Sequence, residues 1–303
     1  MKAGMLFPGQ GSQFVGMGKD YYDRFPEARD LYKSANNRLG FDIAELSFAG
    51  DMAELTQTKN LQPAILLHSV AILAVLTARG VTPSIVAGHS LGEFSALVAA
   101  GFFDPIDALL IVRQRGELMY EAGVERPGTM AAIIGGEQGA IEEVLRGVDG
   151  VVVVANYNSP GQFAISGEVE AVAAACVACK EAGAKRALPL AVSGAFHSPL
   201  MEPTVAEFRK YLESFHNGKL RVPWVANVTA QVVEDSDAVV DLLARQLSSP
   251  VRWAESVRTL TGETTDNLFE VGPGKVLGGL ARRIVDGANV TPLSSVEALE
   301  AAV

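Results

Sequence analysis

The chain has 303 residues, of which 49% are hydrophobic and 20% are charged. This composition is typical of a well-packed globular enzyme and excludes a disordered or coiled protein. The length predicts one large domain with an insert, or two domains. The formal net charge of −10 argues against a nucleic-acid-binding protein, which would carry clustered Lys and Arg.

Neither the start of the chain nor its apolar stretches indicate export or membrane insertion. No basic leader with an apolar segment precedes the first predicted strand, so we expect a cytoplasmic protein. The longest apolar stretch, 64–76, is too short to span a bilayer and predicts a buried helix. Cys176 and Cys179 lie deep in a helical pattern without a second cysteine pair. This favours core packing over a redox or metal site and fits a reducing compartment.

The elements at the two ends of the chain predict a parallel sheet. The first part gives a strand at 4–7, helices at 19–39 and 62–79, a strand at 84–87, and helices at 93–100 and 104–122, with Gly123 expected to end the last of these. The last part gives a helix at 199–215, a strand at 224–228, a helix at 239–246, a strand at 268–271 and a helix at 275–285. Strands that alternate with helices predict an α/β fold whose parallel sheet is covered by helices on both faces.

The middle of the chain has a different pattern. It gives a strand at 128–135, a helix at 137–146, strands at 151–156 and 162–166, a helix at 169–182 and a strand at 185–190. This β-α-β-β-α-β order is that of ferredoxin-like modules. We therefore expect residues 124–191 to form an inserted subdomain, and residues 1–123 and 192–303 to form the core.

The segment Gly88–Gly92, with the sequence GHSLG, fits the nucleophile elbow G-x-S-x-G. An apolar strand pattern precedes it and a helical pattern follows, ended by Gly101 at the position expected after a helix. At the start of a helix, Ser90 lies beside unpaired backbone N–H groups, and the N–H of Leu91 can stabilise an oxyanion. The pattern predicts acyl transfer through an acyl-Ser90, and the alternative is a serine that caps an ordinary helix.

A nucleophilic serine needs a base, and the chain has four histidines. His68 lies in the predicted buried helix, His216 ends a polar helix, and His89 adjoins Ser90 at a turn where neighbouring side chains diverge. His197 lies in a loop of small residues that enters a helix, the kind of position where catalytic groups collect. We therefore expect His197 to be the base, with a structural role as the alternative.

Seven separated motifs extend over nearly the whole chain. They are FPGQGSQ (7–13), GHSLGE (88–93), RQRG (113–116), ANYNSP (155–160), AFHS (195–198), QLSSPV (246–251) and EVGPGK (270–275). In this order they resemble the malonyl-CoA:acyl-carrier-protein transacylases and the related acyltransferase domains of fatty-acid and polyketide synthases. That family has a hydrolase-like core with a ferredoxin-like insert, which agrees with the predicted order of elements.

The resemblance implies roles for individual residues. It implies a Ser90–His197 dyad and an oxyanion hole formed by the backbone N–H groups of Leu91 and Gln10. It gives the family no triad aspartate, and implies that a backbone carbonyl at Gln246 accepts from the His197 ring.

The resemblance also implies the substrate contacts. Arg115 would hold the free carboxylate of a malonyl thioester through two parallel hydrogen bonds; without the resemblance, an arginine on a solvated helix face is the ordinary interpretation. Phe196 would disfavour an α-methyl group and hence methylmalonyl units. We expect Gln246 and Asn156 to be the further substrate-binding residues.

The implied activity is malonyl transfer from malonyl-CoA to acyl carrier protein in fatty-acid biosynthesis, by a monomer without metal or cofactor. A stand-alone acyltransferase of polyketide synthesis, a serine thioesterase or esterase, and a non-catalytic carrier-binding protein are the alternatives. Since carrier proteins of this kind are acidic, we expect a local basic patch to attract them. The candidates for it, which could equally be solvated side chains, are Lys185, Arg186, Lys275, Arg282 and Arg283.

Overall fold

The computed structural model describes residues 1–215, 218–264 and 266–303. Within these ranges the strands form a six-stranded and a four-stranded sheet. The strands are β1 (Lys2–Phe7), β2 (Thr82–Gly88), β3 (Gly128–Ile134), β4 (Val152–Ser159), β5 (Gln162–Glu168), β6 (Arg186–Pro189), β7 (Trp224–Val225), β8 (Val232–Val233), β9 (Asn267–Glu270) and β10 (Val290–Pro292).

Helices cover the sheets and connect their strands. They are α1 (Lys19–Arg24), α2 (Pro26–Leu39), α3 (Ile43–Ala49), α4 (Met52–Leu55), α5 (Thr58–Ala78), α6 (Gly92–Ala99), α7 (Pro105–Glu125), α8 (Gln138–Arg146), α9 (Val169–Glu181), α10 (Glu202–Glu213), α11 (Val239–Gln246), α12 (Trp253–Glu263), α13 (Val276–Ile284) and α14 (Val296–Ala302). A short 3-10 turn, Pro199–Met201, precedes α10.

The large sheet has the strand order β10-β9-β1-β2-β7-β8. All neighbours run parallel except β8, which pairs antiparallel with β7 at the edge. The central strand β1 is buried along all but its first residue, as expected for a parallel strand with helices on both faces. The predicted α/β class is confirmed. This topology places the carboxyl ends of β1 and β2 side by side, where the turn after β2 carries Ser90.

The small sheet has the antiparallel order β4-β5-β3-β6, with α8 and α9 packed against it. It has its own buried apolar cluster, which includes Ile133, Ile165 and Val172. The chain enters and leaves this unit at adjacent points, since a Cβ at Gly123 would overlap the backbone oxygen of Ser193. We propose on this basis that residues 124–191 are an insert in the core.

Helix α5 is the centre of the large core. Among the described residues it is the one helix long and apolar enough to cross a membrane, but 83% of its most apolar window is buried inside the protein. The predicted burial of 64–76 is therefore confirmed. The statement that this segment is too short to span a bilayer is wrong, because the helix extends beyond it. The helix starts at Thr58 and includes Pro63, so it has 21 residues.

Two predicted helix boundaries were wrong for local reasons. The helix predicted over 19–39 is two helices, separated at Phe25, whose extended backbone is the conformation favoured before a proline such as Pro26. Helix α7 begins after its N-cap, Asp104, and continues through Gly123 to Glu125. Gly123 therefore does not end the helix but permits the close approach of Ser193. The predicted elements also omitted α3, α4, α12, α14, β8 and β10.

Candidate active site

The turn between β2 and α6 is as tight as an elbow motif requires. A Cβ at Gly88 would overlap the backbone of Gly92, and a Cβ at Gly92 would overlap the backbone oxygen of Phe7. Ser90, between these glycines, has φ of 52°, a left-handed conformation that non-glycine residues rarely adopt. The strained turn thus exposes the serine between a strand and a helix that pack directly against each other.

Asn227, after the short strand β7, supports this turn from below. Its Oδ1 accepts from the Ser90 backbone N–H at 2.8 Å, and its Nδ2 donates to Gly88 O at 2.7 Å. The asparagine is fully buried. Since the Ser90 N–H already has a partner, it is not available to a substrate.

The backbone N–H groups of Leu91 and Gln10 donate to no group among the described residues. The loop that carries Gln10 lies against the elbow, because a Cβ at neighbouring Gly9 would be 3.7 Å from Leu91 N. The unpaired Leu91 N–H therefore lies at the start of α6, where the helix dipole also favours negative charge, and the unpaired Gln10 N–H belongs to the adjacent loop.

His197 contacts the serine. Its Nε2 is 2.7 Å from Ser90 Oγ, and its Nδ1 donates to the backbone oxygen of Gln246 at 2.8 Å. A carbonyl only accepts, so Nδ1 carries the proton and Nε2 is free to accept from the serine hydroxyl. Burial, reinforced by the positive charge of Arg115, lowers the pKa of His197 to about 3. The imidazole is therefore neutral at pH 7 and can act as a base.

The other described histidines do not reach the serine hydroxyl. His68 is fully buried in α5, and that burial lowers its pKa to about 3. The Nε2 of His89 bonds to Asn158 Oδ1 at 2.8 Å, which joins the elbow to β4 of the small sheet. His216 lies outside the described residues.

Arg115, on α7, is 1% exposed and points at the serine. Its Nη2 donates to Ser90 Oγ at 3.2 Å and to Gln246 Oε1 at 2.7 Å, and its Nη1 donates to Gln62 Oε1 at 2.9 Å. These acceptors are all neutral, and no carboxylate of the described residues forms an ion pair with it. Burial lowers the pKa of Arg115 to about 10, so it keeps its charge at neutral pH. The site therefore contains a buried cation without a direct counter-ion.

Behind the arginine, Gln246 connects to a buried acid. The Nε2 of Gln246 donates to Ser90 O at 2.9 Å and to Glu93 Oε2. The other oxygen of Glu93 accepts from the Asn227 backbone N–H at 2.7 Å. Burial raises the pKa of Glu93 to about 8, against the opposite effect of these two donors and of Arg115.

The sequence motifs do not identify Gln62 and Asn227, which lie outside all seven of them. Glu93 lies inside GHSLGE but received no role, although a carboxylate on an otherwise apolar helix is itself a signal. A group of this kind is buried only where donors satisfy it. Here both of its oxygens have such donors.

The two remaining predicted site residues, Phe196 and Asn156, make no hydrogen bond to the Ser90 network. Phe196 precedes His197 and is 4% exposed within the main core cluster. Asn156 is buried on β4, and its side chain makes no hydrogen bond with the described residues. Asn158 instead contacts the elbow. The structure thus brings together Ser90, His197, Arg115 and Gln246, and leaves Asn156 outside their network.

Two cavities flank the loop that carries Gln10. One of about 150 Å³ lies between the elbow, the small sheet and α13, with His89, Asn158, Gln162 and Leu277 in its wall. The other, of about 530 Å³, lies between α5, α7 and residues 191–193. Gln10 lines both, so open space lies on two sides of this loop.

Comparison with known proteins agrees with this geometry. A family model described as acyl transferase domain matches residues 5–296. The malonyl CoA-acyl carrier protein transacylase of Bacillus subtilis is 44% identical over 305 residues, which cover 100% of this chain and 96% of that protein.

Solved structures are equally similar. The crystal structure of an acyl carrier protein S-malonyltransferase from Vibrio cholerae has a TM-score of 0.95 and 43% identity, and covers 100% of both chains. A malonyl-transacylase in complex with its type II PKS acyl-carrier protein has a TM-score of 0.96 and 43% identity, over 100% of this chain and 99% of that one. The chain therefore belongs to the acyl transferase family, as a relative of the malonyl CoA-acyl carrier protein transacylases.

Proposed function

We propose that this acyltransferase moves the malonyl group of malonyl-CoA to the phosphopantetheine thiol of an acyl carrier protein, through a malonyl ester on Ser90, in fatty-acid biosynthesis. The observation that carries the proposal is the buried Arg115 guanidinium, whose Nη2 lies 3.2 Å from Ser90 Oγ without a carboxylate partner. The names of the relatives support the same reaction.

Arg115 supports a donor with a free carboxylate. A buried charge needs partners that stabilise it, and the three side-chain partners of Arg115, which are Gln62, Gln246 and Ser90, are all neutral. A malonyl thioester ends in a carboxylate that can pair with the planar guanidinium through two charge-assisted bonds. The same contact would place the thioester carbonyl beside the serine. An acetyl group cannot make this contact.

In the first half-reaction, Ser90 Oγ attacks the thioester carbonyl while its proton moves to His197 Nε2. The backbone N–H groups of Leu91 and Gln10 stabilise the oxyanion. The tetrahedral intermediate collapses with cleavage of the C–S bond, and the sulfur takes the proton from His197. Free CoA leaves, and malonyl remains on Ser90 as an ester.

In the second half-reaction, the carrier's thiol gives its proton to His197 and attacks the ester carbonyl. Collapse of that intermediate breaks the bond to Ser90 Oγ, which takes the proton back. His197 is suited to both steps because it is neutral and its Nδ1–H is fixed by Gln246 O. Every group in this cycle comes from one chain, so we propose that a monomer without cofactor suffices.

A hydrolase is the rival reaction on this scaffold. In α/β-hydrolases the third member of the triad is an acid, whereas the His197 Nδ1–H donates to a backbone carbonyl. Because that carbonyl is neutral, the site lacks the feature that favours the hydrolase. Steady release of malonate from malonyl-CoA without a carrier protein would favour the hydrolase instead.

The carrier protein could belong to polyketide synthesis instead of fatty-acid synthesis, and one observation favours this second candidate. The similar transacylase that was solved with a type II PKS acyl-carrier protein matches this chain as well as the Vibrio cholerae enzyme does. Transfer rates to a fatty-acid carrier and to a polyketide carrier, measured side by side, distinguish the two assignments.

We propose that the carrier protein docks at a basic patch, which consists of Lys185, Arg186, Arg282 and Arg283. All four side chains are exposed. Arg186 and Gln162 both pair with Ile134, on opposite sides of β3. Arg283 Nη1 donates to Gln162 Oε1 at 2.8 Å, so α13 adds its charge to the same end of the small sheet. Because Gln162 also lines the 150 Å³ cavity beside His89, the patch borders an approach to the elbow. Lys275, the fifth candidate, is exposed just before α13.

Mass spectrometry of the intact protein tests the proposed reaction. After incubation with malonyl-CoA, the protein should gain one malonyl group on the peptide that contains Ser90. Addition of a phosphopantetheinylated carrier should then remove the group from the enzyme and add it to the carrier. An adduct on another residue, or loss of malonyl to water at the same rate with or without the carrier, would contradict the proposal.

A further inference from the structure

Glu93 is a buried acid that the proposed cycle does not use. It lies three residues after Ser90 in α6 and is 1% exposed. Oε1 accepts from the Asn227 backbone N–H at 2.7 Å, and Oε2 accepts from Gln246 Nε2. Each of these two partners in turn contacts the Ser90 turn. Glu93 is therefore one step removed from the nucleophile by two routes.

The Gln246 amide has a definite orientation. An amide oxygen and nitrogen look alike, so their positions follow from their partners. Arg115 has only donors. Both Glu93 oxygens face N–H groups, which leaves no acceptor for a carboxyl proton, so this geometry stabilises the ionised, acceptor-only form against the rise in pKa caused by burial. Gln246 therefore turns its oxygen to Arg115 and its nitrogen to Glu93, and the nitrogen also donates to Ser90 O.

We propose that Glu93 is a positioning residue for donor selection: its carboxylate fixes the orientation of the Gln246 amide, whose oxygen then holds the Arg115 guanidinium beside Ser90. This inference rests on the proposed function, since it concerns the group that would bind the malonyl carboxylate.

The substitution Glu93→Gln tests the orientation with almost no change of shape. The Asn227 N–H belongs to the backbone and cannot turn, so the new side chain keeps its oxygen there and points its NH₂ at Gln246. Gln246 must then face that NH₂ with its own oxygen. Its NH₂ would turn to Arg115, and two donors would meet where a hydrogen bond now holds the guanidinium.

The predicted consequence is specific to the donor. Acetyl-CoA has no carboxylate and does not use Arg115, so its transfer should change little. We expect E93Q to lower the ratio of malonyl to acetyl transfer to Ser90 at least about tenfold, which corresponds to the ordinary cost of an unpaired buried donor. We expect E93D, which keeps an acceptor-only carboxylate, to stay within about threefold of the wild-type ratio. A role in folding alone would slow both donors equally.

A double-mutant cycle gives the decisive comparison. Q246L removes the amide, so it should lower the donor ratio by itself, and E93Q should add less than about twofold to it. Q62L removes the acceptor of Arg115 Nη1. Gln62 makes no hydrogen bond with Glu93, so E93Q should have its full effect in that background. If the melting temperature of E93Q shows that this variant does not fold, the ratio of malonyl to acetyl transfer in Q246L is the remaining test.

The measurement is the rate of acyl-enzyme formation from malonyl-CoA and from acetyl-CoA, by rapid quench and intact mass. An unchanged ratio in Q246L, equal losses for both donors in E93Q, or an E93D ratio as low as that of E93Q would overturn the role of Glu93. Such results with a normal wild-type malonyl adduct would leave the proposed function intact. Failure of the wild-type protein to form that adduct would overturn both.

Discussion

The two sheets contribute to the site in different ways. Elements of the large-sheet core supply Ser90, His197 and Arg115, and the last two each contact the Ser90 hydroxyl directly. The small sheet reaches the site at its rim, where Asn158 contacts His89 and Gln162 contacts Arg283. Acylation of Ser90 and binding of the carrier protein therefore depend on different regions. We expect substitutions in the core to change acylation, and substitutions at the rim to change the KM for the carrier.

The energetic settings of the two regions differ as well. The core contacts are buried, so loss of one partner leaves the other unpaired in a low-dielectric interior, which costs about 1–3 kcal/mol or more for charged groups. The basic patch at the rim is exposed, where single charge contacts contribute only about 0–1 kcal/mol and are screened by salt. The sizes of the predicted effects follow this difference.

The largest effect is expected from Ser90→Ala, which removes the attacking oxygen. Malonyl transfer should fall by about a thousandfold or more, and the adduct should disappear. Ser84→Ala, on the same strand β2, serves as the matched control and should leave the adduct unchanged. The readout is intact mass after incubation with malonyl-CoA. A full malonyl adduct on the Ser90→Ala variant would show that another residue is the nucleophile.

The pH profile of acylation tests the environment of His197. Its pKa is lowered to about 3, so the neutral base persists as the pH falls. Malonylation should therefore change little between pH 7 and pH 5, whereas a histidine with the ordinary pKa of about 6.5 would lose about 25-fold. Arg115→Ala removes a charge that lowers this pKa, so the acid limb should move to higher pH. Acetyl-CoA is the donor for that comparison. An acid limb at the same pH in the variant would contradict the effect of the Arg115 charge on His197.

The smallest effects are expected at the rim. Charge reversal of the basic patch, as Arg186→Glu, Arg282→Glu or Arg283→Glu, should raise the KM for an acidic carrier about three- to tenfold and leave acylation by malonyl-CoA unchanged. The wild-type KM should rise with salt, and less steeply in the variants. Arg24→Glu, an equal charge change on α1, is the control. Unchanged carrier kinetics in all three variants would place the carrier elsewhere.

The elbow could be predicted from the sequence because its signals are local. Two glycines, the serine, a preceding strand and a following helix lie within about 20 residues. The break at Phe25 also has a local signal, since the residue before a proline leaves the helical region, yet the helical pattern on both sides concealed it. For α12 the apolar spacing of Trp253, Val257 and Leu260 was available as a signal.

The hydrogen bonds that hold the catalytic residues in position could not be predicted, because they join distant parts of the chain. Gln246 is 153 residues from Glu93, and Asn227 is 137 residues from Ser90. No spacing rule connects such pairs until the sheet brings them together. Arg115 received its role from the resemblance alone, and only the fold shows that it is buried and faces the serine.

The most direct test of the account is the donor preference of Arg115→Ala. Rates of acyl-Ser90 formation are measured with malonyl-CoA and acetyl-CoA, beside wild type and the control Arg113→Ala, whose arginine pairs with Glu117 on the same helix. The account predicts a loss of about a hundredfold for malonyl-CoA, the cost of leaving a carboxylate unpaired, and a change within about threefold for acetyl-CoA. Equal losses for both donors would contradict the claim that the core selects its substrate through this buried cation.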